Sequence, residues 1–177
     1  VRYDPSAGAG ADLSECGRYR YRLWREVDPD NVRSCLFLML NPSTADATVD
    51  DPTIRKCIGF CKRWGYGRLF VVNLFAFRST SPSGLLGIED PSGPDNDVYL
   101  SAELACAHRV VFAWGSHHEI RHLVERRTFE VRRIFDRHPW LGDKTVTFGR
   151  CKDGNPRHPL MLPYAAMTFS VDGQRKA

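Results

Sequence analysis

Paired Cys-x-x-Cys ligands, a glycine-rich phosphate loop, a Gly-x-Ser-x-Gly elbow and an apolar run long enough to span a bilayer are all missing from this sequence. Each absence removes a class of function. The six cysteines (Cys16, Cys35, Cys57, Cys61, Cys106 and Cys151) lack zinc or redox spacing and read as structural thiols in a reducing compartment. Cys57 and Cys61, one helical turn apart, leave an iron-sulfur or zinc site as the lesser alternative. Gly65-Tyr-Gly67 follows a helical pattern instead of a strand, so it opens no dinucleotide-binding helix. His117, His118 and His122 lack the glutamate of a zinc protease and read as helix-surface residues. With no signal-peptide pattern and no membrane span, the expectation is a cytoplasmic protein without a membrane partner.

What is present suits one domain. The chain has 177 residues, enough for one ordinary core. Residues 1–15, rich in Gly and Ala without a period, read as a mobile arm, and 16–177 as the folded unit. The net charge of +4 permits a polyanionic partner without requiring one. Acidic residues from Asp46 to Asp97 crowd the middle, and basic residues fill the stretch from Arg121 to Arg157. Arg121 to Arg133 read as a solvated helix face, whereas Arg150, Lys152 and Arg157 sit in a loop and suit phosphate contact. Oligomeric state is not encoded in any readable form.

The apolar run from Ser34 to Leu40 ends abruptly in Asn41-Pro42-Ser43, which predicts a buried strand opening into a loop. Pro42 holds Asn41 extended, so its amide could face a crevice; the plainer reading is a loop residue bonding its own backbone. Upstream, Arg18 to Arg25 alternate, placing Tyr19, Tyr21 and Leu23 on one face and arginines on a wet one. Asp50-Asp51-Pro52 has the form of a helix start, and Gly65-Tyr-Gly67 of its end. Leu69 to Leu74 is a second buried strand, again ending on asparagine, and a long loop with Phe75, Phe77 and Arg78 follows. A helix that starts in Ser92 to Asp97 and runs to about Ala107, a strand from Arg109 to Gly115, a helix from Ser116 to about Phe135 and a strand near Thr145 to Phe148 complete the pattern. Alternating strands and helices predict an α/β fold, a three-layer α/β/α sandwich on a mostly parallel central sheet with an N-terminal antiparallel strand. Its working edge would gather Asn41, Asn73, Trp114 to Ser116 and His158, because each follows a strand end.

Four strand-end motifs in this order, Asn41-Pro42, Asn73-Leu74, Ala113-Trp114-Gly115 and His158-Pro159, resemble the uracil-DNA glycosylase superfamily over about Cys35 to Leu162. The mismatch-specific thymine/uracil glycosylases are the nearest in motif. More narrowly, Leu40 to Asp46, Asp51-Pro-Thr53, Val72-Asn-Leu74 with Arg78, Gly93-Pro94 with Asn96-Asp97, and Pro156 to Leu160 resemble a bacterial family, domain of unknown function 1643.

The first resemblance implies a metal-independent glycosidase needing no cofactor, acting on a pyrimidine in DNA or a free nucleotide. Asn41 would orient the attacking water, and His158 would hold the charge of the departing base. Asn73 would read the base edge, with Ser43 where uracil-specific members place a bulky tyrosine, so that a 5-substituted pyrimidine is admitted. Phe75 and Phe77 are candidates to stack on the base. Arg78, Ser116, Arg150, Lys152 and Arg157 would hold phosphate, and Leu162 would be the wedge filling a vacated stack. Met39 replaces the superfamily's glycine, and the His-Pro loop is shortened to His158-Pro-Leu-Met-Leu162. Two other readings stand beside this one: a module that binds a nucleobase or nucleotide without cleaving it, and a nuclease holding magnesium on Asp46, Asp50 and Asp51. Helix capping accounts for two of those three carboxylates more simply.

Overall fold

The computed structural model describes residues 7–171 and 175–176. Two continuous apolar runs fix its centre. β3 (Ser34–Met39) and β4 (Arg68–Asn73) pair in parallel, Ser34 beside Arg68 and Met39 beside Asn73. Every residue of β3 is buried, as expected of a strand covered on both faces. β5 (Arg109–Phe112) pairs in parallel with β3, and β6 (Thr145–Thr147) with β5.

Antiparallel strands extend the sheet at both margins. β1 (Ala9–Leu13) and β2 (Arg20–Glu26) add beside β4, while β7 (Thr168–Ser170) and β8 (Arg175–Lys176) add beside β6. The eight-stranded order is β1-β2-β4-β3-β5-β6-β7-β8, a mixed α/β sheet with a parallel centre. From β3 the chain moves to β4 on one side and then to β5 on the other. That reversal places a topological switch beside the carboxyl end of β3.

The connecting helices form where their caps permit. Asp51 caps α1 (Pro52–Trp64), its Oδ1 accepting from the Ile54 N–H at 2.8 Å, and Gly65 ends it at φ 70°. α2 spans Asn96–Cys106, and α3 spans Arg121–Phe135 after a 3-10 turn at His118–Ile120. Alternate residues of β3 enter two apolar clusters. Leu36 and Leu38 pack with Leu100 and Leu104 of α2 and Val124 and Val131 of α3. Cys35 and Phe37 pack with Ile54, Cys57 and Phe60 of α1. Phe60 is fully buried, with ring centroids 4.7 Å from Phe148 and 5.1 Å from Trp64. Burial of such a ring stabilises by about 1.5–3 kcal/mol.

Three expectations change. Ala9–Leu13, assigned to a mobile arm, is an edge strand; Trp24 lies across Gly10, where a Cβ would overlap the indole. The arginine face of β2 is covered. Arg22 binds Asp12 and Glu103, and Arg25 binds Asp50. An irregularity in the β1–β2 register, where Asp12 pairs with Arg22 and Leu13 with Arg20, breaks the strict alternation at Tyr21. Tyr21 consequently stacks on Tyr99 of α2, while Arg20 reaches the opposite side to bond Ala45. Arg127, assigned to a solvated helix face, is buried and bonds the Leu74 carbonyl, Asp97 and Glu130. Single-sequence periodicity cannot reveal these acids, because they arrive from other elements.

Candidate functional site

The carboxyl ends of β3 and β4 carry the two predicted asparagines. Asn41 follows β3, and its Nδ2 donates to the carbonyls of Pro42 (3.0 Å) and Ser79 (2.8 Å). Those bonds tie the loop after β3 to the loop after β4, a tie repeated by the Ser79 N–H on Pro42 O. The plainer reading of Asn41 therefore accounts for its nitrogen. Its Oδ1 is left as an acceptor. Ser43 is half-buried on the same loop.

Asn73 ends β4 and is buried, and its Nδ2 has no hydrogen-bond partner among the described residues. By alternation with Leu69 and Val71 its side chain falls on the α1 side, where Met39 is its register partner. The backbone beneath it is clamped. Asn96 Nδ2 donates to the carbonyls of Asn73 and Leu74, both at 3.1 Å, and Arg127 Nε donates to Leu74 at 2.7 Å. A buried amide donor left open costs about 1–3 kcal/mol, so this nitrogen is a candidate contact for a ligand or a water. Asn96 and Arg127 are positioning residues that neither periodicity nor strand-end position singles out; Asn96-Asp97 stands in the sequence only within the motifs of the family resemblance.

His158 lies beside the turn after β5. Gly115 has φ 79°, and a Cβ on it would stand 3.3 Å from both His158 Cβ and His117 Nε2, so only glycine lets these segments approach without strain. His117 Nε2 donates to the Trp114 carbonyl at 2.6 Å. Burial, reinforced by His117 and opposed by Asp51, pushes the His158 pKa down to about 4. The ring is thus neutral near pH 7. Its Nδ1 accepts from the Leu160 N–H at 3.3 Å, which assigns the proton to Nε2 and makes that atom a donor.

Charge gathers on the same side. The carboxylate of Asp51 acts on both His158 and Arg20, and Arg78 acts on Arg20 and Asp46. The three carboxylates of the nuclease reading are dispersed among different tasks. Asp46 accepts from the N–H groups of Thr48 and Val49, Asp50 pairs with Arg25, and Asp51 caps α1. No group of three potential metal ligands occurs among the described residues. Cys35, Cys57 and Cys61 are buried in the α1-side core, and burial holds the Cys57 and Cys61 thiols well above their ordinary pKa.

Several predicted residues stand elsewhere. Leu162, the expected wedge, is packed in the α1-side core, whereas Met161 beside it is 89% exposed. Phe75 is buried in the cluster of α2 and α3, and Phe77 packs edge-on to Tyr19 beneath Arg18, so neither offers an open ring face to a base at Asn73. Arg150 spends its guanidinium on the carbonyls of Gly154 and Val171. Lys152 and Arg157 are exposed on that loop, and Ser116 donates to Asp153 at its tip (2.6 Å). A cavity of about 620 Å³ opens on the α3 side, walled by Leu38, Leu74, Phe112, Trp114 and Phe135. It includes Arg150 but none of Asn41, Asn73 or His158.

No curated protein matches the chain, and no solved structure does. A family match covers residues 20–160, from β2 through the His158-Pro159 turn. On that extent the chain belongs to the family described as Protein of unknown function (DUF1643).

Proposed function

We propose that the protein hydrolyses an N-glycosidic bond, releasing a pyrimidine base from DNA or a nucleotide, and that its sheet and helices form the three-layer α/β/α architecture of the uracil-DNA glycosylase superfamily. The reading is supported chiefly by Asn73, whose buried amide nitrogen at the end of β4 has no partner among the described residues, and then by His158, which is neutral near pH 7 with its proton on Nε2. Cleavage breaks the bond between the sugar carbon and the base nitrogen, leaving an oxocarbenium-like sugar and negative charge on the base. The His158 Nε2–H donates to the base oxygen where that charge collects. A neutral donor serves because it stabilises the anion without first having to gain a proton.

Asn73 Nδ2 donates to an acceptor on the pairing edge of the base. Asn41, anchored through its nitrogen, presents Oδ1 to the attacking water, whose oxygen bonds to the sugar while its proton passes ultimately to the base. Ser43 leaves space for a 5-substituent. Burial of Leu162 removes the expected duplex wedge and favours a flipped, single-stranded or free nucleotide. The role of Asn41 in tying two loops supports a second reading, a module that binds the nucleotide without cleaving it.

The test is release of free base, followed by mass spectrometry, from DNA and nucleotides bearing varied 5-substituted pyrimidines. Release by the wild type that falls at least about 100-fold in His158→Ala is the expected result, the scale of one lost transition-state donor. Saturable binding with no released base across the panel would favour the binding module. Full activity in both Asn41→Ala and His158→Ala would refute the assigned chemistry.

A further inference from the structure

The arginines of β2 divide into two kinds. Arg22 is matched by Asp12 and Glu103, and Arg25 by Asp50. Arg20 has no carboxylate within ion-pair distance among the described residues. It is 3% exposed, its Nη1 donates to the Ala45 carbonyl at 2.7 Å, and its buried Nε has no partner. Arg78 is half-buried, and its side chain has a single long bond, to the Gly17 carbonyl at 3.3 Å. Asp46 and Asp51 act on Arg20 electrostatically without reaching ion-pair distance, and each holds its loop through Oδ1, which accepts from backbone N–H groups.

Both guanidiniums adjoin the segments that hold Asn41. Ala45, the partner of Arg20, lies on the loop that Asn41 opens; Arg78 directly precedes Ser79, whose carbonyl receives the Asn41 amide. Leaving a guanidinium buried and unpaired costs several kcal/mol unless something else completes it. A planar fork of N–H donors is suited to a carboxylate or a phosphate, and the cost is recovered when such an anion binds.

We infer that Arg20 and Arg78 form an anion subsite taking the phosphate of a phosphorylated pyrimidine nucleoside whose base reaches Asn73 and His158. This deepens the proposed function and rests on it for the identity of the base. Burial lowers the Arg20 pKa to about 10, opposed by Asp51 and Asp46 and reinforced by Arg78 and Arg25, so the nearby carboxylates compensate the buried charge only in part. A bound phosphate would neutralise Arg20 and Arg78 together. Arg22 and Arg25, already paired, would take no part.

Calorimetric titration of the full chain with inorganic phosphate, a pyrimidine nucleoside 5′-monophosphate and the matching nucleoside tests the subsite. The monophosphate should bind at least about tenfold more tightly than the nucleoside, equivalent to about 1.4 kcal/mol, and inorganic phosphate should compete with it. Arg78→Gln should remove that advantage while leaving nucleoside binding in place, and Arg20→Lys, which keeps the charge but loses the fork, should reduce it. Arg133→Gln, on the exposed face of α3, should change nothing. Equal affinity for nucleoside and monophosphate, no phosphate-dependent binding, or an unaffected Arg78→Gln would overturn the inference. The two readings fail separately. Phosphate-dependent binding without base release sinks the hydrolysis and keeps the subsite; equal release from nucleoside and monophosphate keeps the hydrolysis and sinks the subsite.

Discussion

On the α3 side of the sheet's carboxyl edge, a cavity of about 620 Å³ has an apolar floor of Leu38, Phe112 and Phe135 and charged groups such as Glu125, Arg132, Asp136 and Arg150 around it. On the α1 side, Asn73 and Arg20 carry buried nitrogens without partners, and His158 is held neutral. The α2 and α3 side also holds unsatisfied buried atoms, Asn96 Oδ1 and His138 Nδ1, but neither residue lines the cavity. An open cavity with charged groups on its lining is filled by water at little cost, so its volume alone calls for no ligand. An unpaired buried donor forfeits a hydrogen bond it would have made in water, so its retention calls for a ligand. The α1 side is the better candidate site because its open donors, Asn73 Nδ2 and Arg20 Nε, stand beside the strand ends and loop that carry Asn41.

The sharpest way to break that comparison is to alter each side in turn. Asn73→Ala should reduce base release by about 100-fold or more, since a buried base-reading amide discriminates strongly once its partner is lost. Phe129→Ser, on the rim of the α3-side cavity, should leave release unchanged. Steady-state assays of both variants read the difference directly. The opposite pattern would move the site across the sheet.

Packing should differ in the same sense. Phe60→Ala removes a ring surrounded by Trp64, Phe148 and Tyr164 and should destabilise by about 3–5 kcal/mol in urea unfolding. Phe135→Ala only enlarges an existing cavity, and its cost should be about 1–2 kcal/mol, because one face of that ring already lacks neighbours. Equal losses would show that the cavity side is as tightly packed as the other.

The parallel centre was legible because β3, β4 and β5 are apolar on both faces, and α1 because Asp51-Pro52 and Gly65 mark its ends. Asn41, Asn73 and His158 could be nominated from their strand-end positions alone. What escaped depends on long-range partners. β1 is a short edge strand whose small residues carry no period, yet Trp24 covers it; the β2 arginines appear solvated until Asp12, Glu103 and Asp50 arrive from elsewhere. Leu162 was nominated by its distance from His158, and that spacing says nothing about direction: Met161 points outward and Leu162 inward. Arg20 was hidden because the register irregularity near Tyr21 sends it to the side that alternation alone would not choose.

A smaller effect distinguishes the two sides by pH. The folded-state pKa of His158, about 4, lies below its ordinary 6.5, so the native chain binds fewer protons there than the unfolded chain. Stability from this group is fully present above about 6.5 and is lost as pH falls toward about 4. In His158→Gln that slope should shrink in urea unfolding measured across the same window, whereas Phe129→Ser should retain it. A wild-type imidazole resonance titrating near 6.5 instead of near 4 would contradict the burial argument.

A crystal structure with a pyrimidine nucleoside 5′-monophosphate tests the central claim most directly. The account predicts the base against Asn73 and His158 and the phosphate between Arg20 and Arg78, all on the α1 side. Ligand density confined to the cavity walled by Phe112, Trp114 and Phe135, with the Asn73 nitrogen still unpartnered, would contradict it.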